Sequence, residues 1–428
     1  VGFGFDNWQQ VDIPSSIKDG IESPLIVFAN SNDQATIANI ATPNAENTAE
    51  IVYYVAPGNP SSRIQILTLD TSTGGQIFTS ANGLSMAYFK RDGLYMLNLQ
   101  IGLGGRIAQV SSLTQRGILS NPSWSPNGAQ LAVTLDTGYA LDIFLYDNQG
   151  SGRTNLTNSG AYEFYPVWSP DGRYIAFVSD RATCPSWNPA DAGACDALTQ
   201  PAPLGGQVYV LEIATGEINQ MGELSTTEPP RWINNRQLVI AGGDQTDLLN
   251  PQRTIWLADV DRFIPRQVML VGDENALYLS DAWSADGTMV LVQRVTTTTT
   301  DLVLMSANGQ LIRQRNEELN FPRFGMSASW SAQSDRLAIG GVNGACPYGV
   351  RVVELNFDFV ATGNPPPSMC NPLYSANGAY IGFTGVNPRV DGRVDVYSAS
   401  NNGFEATNLT VDLRGQMIFL GWVGGQAP

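Results

Sequence analysis

The chain has 428 residues and a net charge of −16, with 14 % of its residues charged against about 25 % in an average globular protein. Such acidity argues against nucleic-acid binding, which needs Lys or Arg clustered against phosphates, and no apolar run is long enough to span a membrane. Histidine is absent, which removes Ser-His-Asp and Cys-His catalysis, His-ligated zinc and the His general base.

In chain order, residues 1–22 read as an N-terminal arm. Short β-branched runs follow at Leu25–Ala29, Ile51–Ala56 and Ile64–Leu69, each with strand character. The stretch Gly83–Ser112 admits two readings. In one, Phe89–Gly93 is a turn phrase; in the other, Leu94–Leu99 and Arg106–Val110 form the outer hairpin of a sheet. From residue 121 a phrase then repeats: Trp124-Ser125-Pro126-Asn127-Gly128, Trp168-Ser169-Pro170-Asp171-Gly172 and Trp283-Ser284-Ala285-Asp286-Gly287, with weaker copies at Trp232, Trp330 and Tyr374. The spacings are 44, 64, 51, 47 and 44 residues, the period of a four-stranded unit.

The phrase is a strand end, a tight turn and a new strand. Pro presets φ, Asp or Asn bonds its own backbone, and Gly takes the positive φ that closes the turn. After Trp124 the strands are Gln130–Leu135, Leu141–Asp147 and Arg153–Thr157; after Trp168 they are Tyr174–Ser179, Gln207–Ile213 and Glu217–Met221. The recurring aromatic suits packing between adjacent sheets better than ligand stacking. At the C-terminus Gln416–Trp422 reads as a first strand whose sheet must be completed from the N-terminal region. The fold expected is all-β: a single β-propeller of eight four-stranded blades, or seven if residues 1–113 make one blade and an irregular arm. Strands from both termini close the ring and leave no open edge. The propeller occupies residues 23–428, with an insertion at 181–206 in one blade.

Trp-Ser-Pro-Asp-Gly, then Ile175-Ala176-Phe177-Val178-Ser179, then Val208-Tyr209-Val210-Leu211 resembles the repeat of TolB-type (WD40-like) propellers, and Asn155-Leu156-Thr157 and Asn408-Leu409-Thr410 look like that family's closing Leu-Thr. The resemblance implies a fold and leaves activity open, because the repeat serves binding proteins and the gating propellers of prolyl oligopeptidases alike. It also implies an N-terminal α/β domain, for which residues 1–20 are too few.

The four cysteines form two local pairs, Cys184 with Cys195 in the insertion and Cys346 with Cys370 further on. Paired loop cysteines suit an extracytoplasmic location: periplasm, cell surface or medium. Asp92, Asp171 and Asp286 belong to turns rather than to a carboxylate pair, and no metal or cofactor pattern is present. Both Asn-Leu-Thr segments match a glycan acceptor but coincide with the repeat's own closure. The function expected is that of an exported, non-catalytic scaffold binding a protein or cell-envelope polymer. The alternatives are a structural subunit of an extracellular assembly and a carboxylate-dependent carbohydrate-active enzyme. The candidate interaction loop is the insertion, with Trp187, Asn188 and Asp191, since long ordered loops on a rigid scaffold carry recognition.

Overall fold

The computed structural model describes residues 6–31, 50–70, 73, 75–115, 118–243, 253–274, 276–316, 325–342, 346, 349, 351–358, 367–387 and 392–425. The chain is all-β and divides into two compact units, residues 1–12 with 78–269 and residues 13–77 with 270–428.

In the first unit the strands form antiparallel sheets in sequence order. One contains Gln130–Asp136 and Leu141–Asp147, edged by Ser123–Trp124 and Thr154–Asn155. The next is Glu163–Trp168, Tyr174–Ser179, Gly206–Glu212 and Ile218–Thr226, and a third is Arg231–Trp232, Gln237–Gly242, Thr254–Asp259 and Arg266–Gln267. The earliest runs Ile77–Thr79, Ser85–Lys90, Gly93–Asn98 and Leu103–Gln109, with Asp6–Gln10 of the expected arm added as a fifth strand against Leu103–Gln109.

Period-2 alternation makes each sheet apolar on both faces. Leu131, Val133, Leu135, Phe144 and Tyr146 pack against Leu94 and Met96 of the sheet before. Their neighbours Ala132, Ile143 and Leu145 pack against Ile175, Phe177 and Leu211 of the sheet after. The aromatic of the phrase packs into the apolar clusters between neighbouring sheets. The Trp124 indole N–H donates to the Phe78 carbonyl of the preceding sheet at 3.0 Å, and Trp232 donates to Val167 at 3.0 Å.

The second unit repeats the scheme with Leu277–Trp283, Met289–Val295, Thr300–Ser306 and Leu311–Asn316. Met326–Trp330, Arg336–Gly341 and Val352–Glu354 come next, linked by one parallel bridge, Gly341 to Cys370, to Cys370–Tyr374, Tyr380–Val386, Val394–Ser400 and Thr407–Asn408. Here Trp330 donates to the Ala282 carbonyl and Trp422 to that of Leu373, each at 2.9 Å. The C-terminal strand, Gln416–Val423, pairs antiparallel with Leu25–Ser31, which continues to Glu50–Val55 and Ile64–Leu69. One sheet thus takes its first strand from the C-terminal end and the other three from the N-terminal region, as the unpartnered Trp422 phrase requires.

The turn phrase has one geometry in most of its copies. Ser125 Oγ donates to Asn127 Oδ1 at 2.8 Å and accepts from the Gln130 amide at 2.9 Å, while Gly128 sits at φ 68°. Ser169 with Asp171, Ser284 with Asp286 and Ser375 with Asn377 repeat it. It also recurs at Ser80-Ala81-Asn82-Gly83, where Ser80 Oγ donates to Asn82 Oδ1 at 2.7 Å. The reading of Phe89–Gly93 as a phrase is therefore corrected. Those residues span the end of Ser85–Lys90, the two-residue turn Arg91-Asp92 and the start of Gly93–Asn98, and the outer-hairpin reading of this stretch holds. Thr79 occupies the aromatic position of the true copy, and that substitution hid it.

Candidate functional site

The connection between Tyr174–Ser179 and Gly206–Glu212 is the expected insertion, and it is built in two layers. At its base, the Asp180 carbonyl accepts from the Thr183 and Cys184 amides at 2.7 and 2.8 Å, and Cys184 is bridged to Cys195. Trp187 lies under the loop, only 4 % exposed. Its ring stacks on Tyr162 at 5.1 Å, its indole N–H donates to Asp180 Oδ2 at 2.9 Å, and its amide donates to the Gly160 carbonyl at 2.7 Å. Trp187 is thus a core residue of the loop, a correction to its expected place on the contact surface. Burying a large ring and satisfying its N–H holds a 26-residue connection down better than display would.

Asn188 and Asp191 brace one bend. Ser186 Oγ donates to Asp191 Oδ2 at 2.6 Å and accepts from the Asn188 amide at 3.1 Å, and Asn188 Nδ2 reaches Asp191 Oδ1 at 3.4 Å. Asp191 is exposed and Asn188 half-buried. The outer layer begins at Asp196, whose carboxylate accepts from the Leu198 amide at 2.9 Å and the Thr199 hydroxyl at 3.0 Å. That small turn holds Leu198 out in water, 96 % exposed, and Leu204 follows at 71 %.

Beneath the base is a cluster of buried charge. Glu163 is 0 % exposed and accepts from the Arg181 guanidinium. Burial pushes its carboxyl up to about 7, against the pull of Arg181. Burial likewise raises Asp180, opposed by hydrogen bonds from the Tyr162 amide and the Trp187 indole. Arg181 also lies over the Tyr209 and Phe177 rings, at 4.9 and 5.6 Å. Glu163 and Arg181 were not singled out from the sequence; a Glu opening an apolar strand was the available signal.

The three aspartates of the turns make local hydrogen bonds. Asp171 and Asp286 cap their turns, and Asp92 takes hydrogen bonds from Tyr95 and Arg106. The two Asn-Leu-Thr segments serve one clasp. Asn155 Nδ2 donates to the buried Asp142 at 2.7 Å and the Thr157 hydroxyl donates to it at 3.3 Å; Asn408 and Thr410 hold Asp395 at 2.9 and 2.7 Å. A glycan on either amide would displace that bond. Cys346 is bridged to Cys370, the first residue of its strand. Among the described residues no group of three His, Cys, Asp or Glu side chains is placed to hold a metal ion, and no helix is long and apolar enough to cross a membrane.

The family model of the TolB β-propeller domain matches residues 79–195. A TolB homologue of Chlorobium luteolum is 29 % identical over 109 residues, 26 % of this chain and 20 % of that protein. Dipeptidyl-peptidase 5 of Porphyromonas gingivalis is 42 % identical over 67 residues, 13 % of this chain and 10 % of that one. The matched segments therefore span a fifth or less of either relative. The crystal structure of a eukaryotic initiation factor is similar with a TM-score of 0.55 at 11 % identity, over 94 % of this chain and 99 % of that one, a likeness of fold alone. Residues 79–195 thus resemble a TolB β-propeller domain, and the turn phrase found there recurs beyond them.

Proposed function

We propose that the chain is an exported, non-catalytic scaffold, an eight-bladed propeller closed through Gln416–Val423 and Leu25–Ser31, that binds a protein or an envelope polymer through the insertion at 181–206. The observation that carries this reading is the layered build of the insertion: a base fixed by a disulfide and a buried Trp187, and a tip that presents Leu198 and Leu204 to water. A rigid base lowers the ordering cost of binding, and exposed aliphatic groups supply apolar area to bury. The two disulfides support an extracytoplasmic location. The short match to a peptidase adds no hydrolytic reading, because this chain contributes no histidine to such chemistry.

Deletion of residues 183–197 is a poor test, since it removes Cys184 and Trp187 from the core. Leu198→Ser with Leu204→Ser leaves the base intact. In quantitative pull-downs from an envelope extract and in pelleting with peptidoglycan, the double variant is expected to retain its thermal midpoint and lose at least tenfold of whatever the parent chain recovers. Equal recovery by a folded double variant refutes the assignment.

A further inference from the structure

We propose that Glu163 and Arg181 form a proton-sensitive latch at the base of the insertion, engaged when the carboxyl is ionised and released when it is protonated. This rests on the reading of the insertion as the binding loop and adds its regulation.

The geometry is specific. Glu163 opens the strand Glu163–Trp168 and is held by backbone pairing with Ser179, so its carboxyl stays under the loop as long as the sheet persists. Arg181 is the first residue of the insertion, only partly covered, and its guanidinium is the cation that meets Glu163. The second carboxyl oxygen, Oε2, is sealed from water, with the Thr157 hydroxyl, which also reaches Asp142 Oδ1 at 3.3 Å, as the nearby neutral donor. The other groups facing Glu163 are the Asp142 carboxylate on the preceding sheet and the Tyr209 phenol on Gly206–Glu212, which Asp180 also faces. Burial and the Asp142 carboxylate oppose ionisation; Arg181 and the Thr157 hydroxyl favour it.

The sign follows from linkage. Removing Arg181 from a Glu163 that remains buried makes the carboxyl hold its proton more tightly, so proton binding must in turn favour removal of Arg181. Burial pushes the carboxyl up to about 7, within the range an envelope protein meets. The loop base, where the Thr183 and Cys184 amides bond the Asp180 carbonyl, is the segment that Arg181 would carry with it.

The test is amide hydrogen exchange of the isolated protein, with protection factors for residues 181–195 corrected for intrinsic exchange at pH 6 and pH 8. We expect protection several-fold lower at pH 6. Glu163→Gln, which fixes the neutral form, is expected to show the low value at both pH values, and Arg181→Gln to lose the pH dependence as well. Equal or higher protection at pH 6 in the parent, or a pH dependence that survives Arg181→Gln, overturns the proposal. No partner is present in this experiment, so its failure is separable from failure of the binding reading.

Discussion

Two adjacent sheets of the first unit join their second and third strands by very different means. Between Gln130–Asp136 and Leu141–Asp147 the chain turns through Thr137–Ala140, closed by the Thr137 amide on the Ala140 carbonyl at 3.0 Å. Between Tyr174–Ser179 and Gly206–Glu212 the same step takes the whole insertion, with its own disulfide, stacked ring pair and buried ion pair. The short turn needs nothing but local bonds. The long one has to bring a small core with it, because loop closure and backbone ordering otherwise oppose a fixed conformation. Its inner layer therefore belongs to folding, which leaves the outer layer available for recognition.

The sharpest way to break that contrast is to remove the core of the insertion. Trp187→Ala is expected to lower unfolding free energy by about 3–5 kcal/mol, for the lost ring and the cavity beneath Tyr162. Tyr139→Ala, at the 56 % exposed tip of the short turn, should stay within about 0.5 kcal/mol. Both are read from urea titrations, and similar costs would erase the distinction between base and tip.

A second expectation concerns pH. The Glu163 carboxyl is raised, so the native state holds a proton that the unfolded chain has already released. The stability this contributes is present below about 4.5 and lost by about 7. Glu163→Gln should therefore flatten the stability profile across that window by on the order of 3 kcal/mol. A profile with the same slope in the variant would show that another group titrates there. Next comes Cys184→Ser, expected to cost about 3 kcal/mol or somewhat less in the chain-entropy account of an 11-residue loop. The smallest effect is at the clasp: Asn155→Ala should cost about 2 kcal/mol, for a bond to a buried carboxylate, and Asn408→Ala a similar amount. Unequal losses would mean that the two clasps are not equivalent.

How far the sequence could be read follows the same division. The phrase, its period and the completion of the C-terminal sheet from the N-terminal region were legible because each repeat solves one problem with one set of residues. Ser80-Ala81-Asn82-Gly83 was not legible because Thr79 stands where the other copies carry an aromatic, whereas the Ser and Asn side chains make the turn. A better signal was the Ser-x-Asx-Gly spacing itself. The Asp142 and Asp395 clasps were half visible: their Asn-Leu-Thr partners were noticed, but their buried carboxylates lie on a different strand. Within the insertion the disulfide was legible and the role of Trp187 was not. A lone Trp among prolines carries no periodicity to reveal which way it faces.

The account turns on the claim that the tip of the insertion, and not the ordinary repeat turns, is where a partner sits. Its most direct test is photo-crosslinking with benzoylphenylalanine placed at Leu198 in one protein and at Tyr139 in another, each exposed to the native envelope and analysed by mass spectrometry. The account predicts a discrete adduct at Leu198 that competes with excess unlabelled chain, and none at Tyr139. Equal adducts at both positions, or an adduct at Tyr139 alone, would contradict it.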